Sequence, residues 1–352
     1  MKVASIDFVI PWVNGSDLQW QQEFNKYNPN NKLLNTKNRF NDWDNLQYIF
    51  RAFENFTPWV NKIYFITYGH LPKWLNTQHP KLVIVKHEDY IDNQYLPVFS
   101  SHPIEINMHR IKGLSEKFVF FNDDFFILKP IEENTFFVDN LPVDFSILNL
   151  IDDSSISHIL MNDVDIINKN FNRHIGDNLT SREHILKHFK KWFNLKNRFF
   201  IFQTLYLMRW KRFTGFVNYH FPQAFLKSTF ETLWEKESEK LNQTTASKFR
   251  DNQDVNQYLF RYWQLVTGNF KPIDIKHIMR TRKQTEVRTL QDIKKVVTDI
   301  KSQQYTMYCI NDGTSKGRYT KEDISKEDFE LSKELIKEAL NTILPNKSSF
   351  EL

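Results

Sequence analysis

Between residues 1 and 150, short apolar runs recur at intervals long enough to hold a helix. This alternation limits the fold more than any other feature of the chain. Ile6–Pro11, Ile63–Thr67, Leu82–Lys86 and Phe118–Phe121 each read as a buried strand. Between them, Leu46, Ile49, Phe50, Phe53 and Phe56 form one face of a helix that Asp44 is placed to cap, and Ile104, Met108 and Ile111 recur at helical spacing. Strands alternating with helices predict an α/β fold with a mostly parallel sheet flanked by helices. In such sheets ligands gather beyond the carboxyl ends of the strands. Two polar loops directly follow strands: Asn14-Gly15-Ser16-Asp17 and Asn122-Asp123-Asp124.

The remaining chain changes character. Residues 151–215 carry charged, Phe- and Trp-rich helical patterns such as Ser181–Phe193, with Ile185, Leu186, Phe189 and Phe193 on one side, and read as a helical insertion in a core that opens with 1–150. Residues 216–320 are expected to complete that core. There, Pro222 can occupy the first turn of a helix, which would set His220 at an anion-welcoming helix N-terminus. Phe249–Asp254 leads into a helix with Val255, Tyr258, Leu259, Tyr262, Leu265 and Val266 as its buried stripe and Gly268 near its end. An amphipathic helix over 325–344 dominates the closing segment 321–352.

Composition narrows the function. The net charge of +5 is spread thinly, which argues against nucleic-acid binding but suits anionic substrates. The single cysteine, Cys309, excludes an intrachain disulfide and a cysteine-based zinc site, and points to a reducing compartment. Asp7 and Pro11 interrupt the first apolar run too early for a signal peptide. No window approaches the ~20 apolar residues of a membrane span. A cytoplasmic protein is expected, with peripheral contact at the inner face of a membrane left open.

The adjacent carboxylates of Asp123 and Asp124 repel each other, so a divalent cation bridging to phosphate is an economical occupant; an ordinary Asn-Asp turn is the plainer alternative. Asn14–Asp17 is either a turn or a loop whose glycine and N–H groups admit a nucleotide. Arg39, Asp42 and Arg51 read equally as surface ion pairs, His109 and Arg110 as a core histidine and a snorkelling arginine, and Arg250 with Asp254 as a helix-surface pair. Together they supply the parts of a phosphoryl-transfer site.

The chain resembles the Stealth family of hexose-1-phosphate transferases, which includes bacterial capsular polysaccharide phosphotransferases and the catalytic part of the animal enzyme that starts mannose-6-phosphate tagging. The first block of the family is similar to Ile6–Asp17. The second resembles the stretch from Arg39-Phe40-Asn41-Asp42 through Arg51, Pro58-Trp59-Val60, Tyr68-Gly69-His70, Ile104-Glu105 and His109-Arg110 to Asn122-Asp123-Asp124. The third resembles 218–226 around His220, and the fourth Phe249-Arg250 through Asp254 to Gly268; Cys309-Ile310-Asn311-Asp312 is similar to a late family element. Pro11 stands where the family more often has Thr or Ser, and residues 151–215 match no block.

The resemblance implies a nucleotide-sugar-transferase-like (Rossmann-like) fold and transfer of a sugar-1-phosphate from a nucleotide sugar, a UDP-hexose or UDP-N-acetylhexosamine, to a glycan hydroxyl. A phosphodiester forms, the nucleoside monophosphate leaves, and the anomeric C–O bond survives. It implies His220 as general base, Arg250 as the phosphate-stabilising arginine with Arg51 as a further candidate, and Asp123 and Asp124 as ligands of Mg2+ or Mn2+, Asp124 also helping to orient the acceptor. Trp12, Asn14, Gly15, Asp17, Arg39, Asp42, Arg51, His109, Arg110 and Asp254 are expected around the nucleotide sugar. The expected partners are that donor and an oligosaccharide or polysaccharide acceptor, with peripheral contact to membrane-borne capsule machinery compatible. Two rivals stand beside this reading: a metal-dependent glycosyltransferase releasing the nucleoside diphosphate, and a non-catalytic carbohydrate-binding protein with Trp and Tyr as stacking platforms.

Overall fold

The computed structural model describes residues 5–28, 43–154, 156–172, 178–312 and 326–352. In chain order the strands are β1 (Ile6–Trp12), β2 (Ile63–Thr67), β3 (Leu82–Lys86), β4 (Lys117–Phe120), β5 (Phe125–Ile127), β6 (Phe137–Val138), β7 (Leu141–Asp144), β8 (Gln223–Leu226), β9 (Lys271–Pro272), β10 (Arg282–Val287) and β11 (Met307–Asp312). The first four predicted strands are all present and run parallel in the order β3-β2-β1-β4, as an α/β fold requires. One charge lies inside β1. Asp7 is fully buried, and its carboxylate accepts from Asn61 Nδ2 (2.7 Å), Lys62 N–H (3.1 Å) and Ser115 N–H (2.8 Å), so its desolvation is met by three donors at the amino edge.

Helices cover both faces of this sheet. Leu46–Phe56 packs Phe50 and Phe53 against Phe8 and Phe65 on one side, while Gln257–Val266, buried along its whole length, lies in the core on the other. Asp44 does not cap the first of these. The cap position belongs to Asn45, and Asp44, at φ 53°, instead pairs with Lys337 of the C-terminal helix Lys326–Ile343. The predicted helix at Ile104 is also shorter than its spacing suggests, spanning Ser101–Ile106.

A second correction matters more for function. Pro222 opens no helix; residues 223–226 form β8, which pairs antiparallel with β4 and sets Phe225 opposite Phe118. Proline's local preference gives way to an edge position beside a strand that buries Phe118, Phe120 and Phe225. His220 therefore precedes a strand, and no helix N-terminus stands there.

The described residues between 151 and 215 include the helices Ser157–Asn170, Ser181–Lys187, Phe189–Trp192 and Phe200–Leu207. Ser181–Phe193 is broken at His188, so Ile185 and Trp192 turn inward while Leu186 and Phe189 face solvent. Phe171 meets Trp263 at 4.6 Å and joins these helices to the same core.

Candidate active site

Strand direction explains how residues far apart in sequence converge. Asp124 lies just past the carboxyl end of β4. Because β8 runs antiparallel, its amino end is at that same edge, with Gln223 opposite Phe120, and His220 arrives beside Asp124. On the other flank β5 pairs with β11, placing Cys309 opposite Phe125, while Ile310 N–H donates to the Asp124 carbonyl at 3.0 Å. The result is a three-residue cluster. His220 Nε2 and Cys309 Sγ each lie 3.4 Å from Asp124 Oδ2, and the imidazole meets Phe125 edge-on at 4.8 Å. Asp124 Oδ1 is buried without a hydrogen-bond partner, whereas Asp123 is exposed on the same turn.

A second layer of charge comes from the loop after β3 and from residues 248–254. Phe99 N–H donates to the Lys248 carbonyl at 2.7 Å and Phe99 stacks on Phe249, which draws Arg250 over the helix Ser101–Ile106. Arg250 Nη2 donates to Ser101 Oγ at 3.3 Å. Glu105 of that helix is buried, with Oε2 unpartnered, and its charge acts on both Arg250 and His220. Burial disfavours the His220 imidazolium, but its bond to Asp124 and the charges of Asp124 and Glu105 outweigh burial and the opposing Arg250, so its pKa is raised. Burial lowers the Arg250 pKa, with Glu105 and Asp254 countering. Burial and Asp124 push the Cys309 thiol well up, which keeps it protonated.

The turn that carries His220 is held from behind. Arg261 grips Asp144 through Nε and Nη2 at 2.8 Å each and donates Nη1 to Asn218 Oδ1 at 2.8 Å. Tyr262 Oη accepts from the Asn218 amide at 2.5 Å. Tyr219 and Phe221, on either side of His220, line a separate pocket that also holds Gln223, Asp144, Arg261 and Arg282.

The loop after β1 meets the loop after β2 along the same edge. Asn14 N–H donates to His70 Nε2 at 2.7 Å, Asn14 Oδ1 accepts from Ser16 N–H, and Asp17 caps the helix Leu18–Tyr27 through Trp20 N–H at 2.8 Å. Gly15 forms the turn between them, and its carbonyl accepts from Gln21. Trp12 is core, stacked on Phe65 with His70 at its edge, so its indole is not a ready platform for a base.

Two conserved-region profiles match this chain: Stealth protein CR1 over residues 4–32 and Stealth protein CR2 over residues 39–144. Full-length relatives agree. The chain is 40% identical to the capsular polysaccharide phosphotransferase WcwK of Streptococcus pneumoniae, covering 99% of this chain and 98% of that one. It is 37% identical to the receptor polysaccharide phosphotransferase WefC of Streptococcus gordonii, over 99% and 100%. It is 34% identical to the exopolysaccharide phosphotransferase cps2G of Lactiplantibacillus plantarum, over 98% and 96%. The chain belongs to the Stealth family. Within this Stealth protein the CR1 and CR2 matches take in the β1 loop, Glu105, Asp123 and Asp124, while His220, Arg250 and Cys309 lie outside both.

Several expected site residues have other tasks. Every nitrogen of the Arg51 guanidinium is engaged, Nε and Nη2 with Glu351 and Nη1 with the Leu344 carbonyl, all at 2.8 Å, so it fastens the C-terminus instead of holding phosphate. Asp254 is buried and holds His102 Nδ1 at 2.9 Å, close to Arg250 but turned away from solvent, and it precedes its helix instead of forming a surface pair on it. His109 is sandwiched near Phe230 and Trp234, its pKa lowered to about 3 by burial with Arg110 and Lys227, and Arg110 stacks over Trp234 at 4.0 Å. Lys227 hangs from Glu116 at the amino end of β4, so this pair sits apart from the Asp124 edge. Arg39 and Asp42 lie outside the described residues.

The Arg51 reassignment is testable. Arg51→Met leaves the Glu351 carboxylate with only its Ser348 hydrogen bonds and is expected to cost about 1–3 kcal/mol of stability while sparing catalysis. Burial raises the Glu351 carboxyl but Arg51 and Ser348 more than offset it, so its pKa is lowered in the fold. The stabilisation is therefore full above the unfolded carboxylate value of about 4.3 and fades as pH falls toward the folded one. Urea midpoints of both proteins between pH 7 and 3 should converge; a constant gap, or lost turnover at an unchanged midpoint, would contradict the assignment.

The donor set at Asp124 bears on which cation could sit there. Mg2+ prefers oxygen ligands and is usually held by one or two carboxylates together with substrate phosphates. The orphaned Oδ1 of Asp124, next to exposed Asp123, fits that habit. His220 and Cys309 meet the same carboxylate, but their nitrogen and sulfur donors suit softer ions.

Proposed function

We propose that this chain transfers a sugar-1-phosphate from a UDP-hexose or UDP-N-acetylhexosamine to a hydroxyl of a surface glycan, releasing the nucleoside monophosphate. The observation that carries the reading is the meeting of Asp124 and His220, with Arg250 and buried Glu105 nearby, at the carboxyl edge of a parallel sheet. The names of its full-length relatives support phosphotransfer in polysaccharide synthesis.

In this reading the acceptor oxygen attacks the phosphorus that bears the sugar. One P–O bond forms, the diphosphate P–O bond breaks, and the hydroxyl proton passes to His220. Because Nε2 faces Asp124, Nδ1 is the nitrogen that receives it. Arg250 neutralises phosphate charge, and its planar fork suits paired phosphate oxygens. The loop Asn14–Asp17 and His70, partly exposed at the same strand edge, hold the nucleotide end. Asp124 and Asp123 would hold Mg2+ or Mn2+, which supplies charge neutralisation on the diphosphate.

The test is the identity of the released nucleotide. Purified protein, a panel of UDP-sugars and acceptor glycan, with Mg2+, should yield UMP and a phosphodiester signal in phosphorus NMR, and chelation should abolish both. Release of UDP with a simple glycoside would instead establish a glycosyltransferase. No turnover of any donor, with acceptor binding intact, would leave a carbohydrate-binding protein.

A further inference from the structure

Residues 195–212 concentrate exposed apolar side chains more than any other stretch among the described residues. Leu195, Phe199 and Phe202 are 84%, 79% and 73% exposed, and Leu205, Tyr206 and Trp210 are also exposed. On the helix Phe200–Leu207 and its flanks, positions 199, 202, 205, 206 and 210 recur at spacings of three and four and share one face, while Thr204, Leu207 and Met208 turn inward. Single exposed apolar residues need no explanation; a continuous aromatic stripe does.

The charge around this stripe identifies what covers it. Lys196, Arg198, Arg209, Lys211 and Arg212 border it, and no Asp or Glu occurs in the sequence between Glu183 and Glu231. Arg198 is answered by Asp274, and Arg209 lies over Tyr206. A second copy docking through this same face would bring two basic rims together, which disfavours self-association. An anionic lipid surface meets both properties, since aromatic rings settle at the headgroup level and lysines and arginines are drawn to negative headgroups. Among the described residues no helix is long and apolar enough to cross a membrane, so contact at this face would be peripheral.

We infer that the face built on Phe199, Phe202, Tyr206 and Trp210 docks the protein onto an anionic membrane surface. The inward side of the same helix packs behind the segment that carries His220: Phe200 joins a cluster with Phe145 and with Tyr219, the neighbour of His220 in sequence. Docking through this face would therefore turn the helix that backs the His220 segment toward the lipid.

Co-sedimentation with vesicles tests this directly. The full chain should bind phosphatidylcholine vesicles containing about one-third phosphatidylglycerol at least tenfold more tightly than pure phosphatidylcholine, and added salt should weaken the binding. Phe199→Ser with Phe202→Ser, and separately Lys196→Gln with Lys211→Gln and Arg212→Gln, should each reduce it about tenfold or more. Both variants should keep wild-type turnover with a water-soluble acceptor, which also shows that they fold. Equal binding by the variants, or no preference for anionic vesicles, overturns the inference. A dimer in solution that the Phe199/Phe202 variant dissolves also overturns it. Vesicle binding needs no donor sugar, so a failure here is separate from a failure of the phosphotransfer reading.

Discussion

His220→Ala is expected to lower kcat by about 10²–10⁴-fold, the usual contribution of a positioned acid or base, while donor affinity changes little. The side chain is about one-third exposed and its main polar partner is Asp124, so truncation opens no core cavity and the protein should stay folded. Rate measurements with a UDP-sugar and acceptor, beside circular dichroism, check this. His220→Gln is the sharper variant. It keeps a donor toward Asp124 but cannot take a proton near neutral pH, and should be nearly as slow as alanine. Turnover within about threefold of wild type in His220→Gln would remove His220 from proton transfer and leave it a positioning role.

How far the sequence announced this site depends on the range of the interactions. The four parallel strands were legible because each is a local apolar run with turn residues at its ends. Asn14–Asp17 and Asn122–Asp124 were legible as strand-end loops for the same reason. The pairing of Arg51 was not legible because its partner Glu351 lies 300 residues away, and nothing around Arg51 signals a carboxylate from the C-terminus. The helix expected after Pro222 failed because pairing with β4 overrides a local proline preference. In the sequence Glu105 stands out only within a family resemblance, and Cys309 only there and as the single cysteine. Their place at the site comes from the β5–β11 register and from the packing of residues 248–250 on the loop after β3. Glu105 had a faint signal, a carboxylate beside Ile104 and Ile106 on a short helix that buries most of its residues. A buried carboxylate with an unpartnered oxygen points to an electrostatic role more than to packing.

Arg250 should show the other large effect. Arg250→Ala is expected to slow transfer by about 10³-fold or more, in the range for removing a charge donor aimed at a transferring phosphoryl group. Arg250→Lys should recover only part of this, because an ammonium restores the charge but not the planar fork. The buried Glu105 gives this prediction its discriminating arm. With Arg250 removed, buried Glu105 loses the favourable field of that guanidinium, so Arg250→Ala should also lose stability. The double variant Arg250→Ala with Glu105→Gln should then regain the stability but not the rate. An arginine needed only to neutralise Glu105 would behave otherwise: the double variant would recover turnover along with stability. Thermal melts and initial rates on the four proteins of this cycle separate the two roles, because charge balance within the fold and charge balance on the substrate respond to different partners.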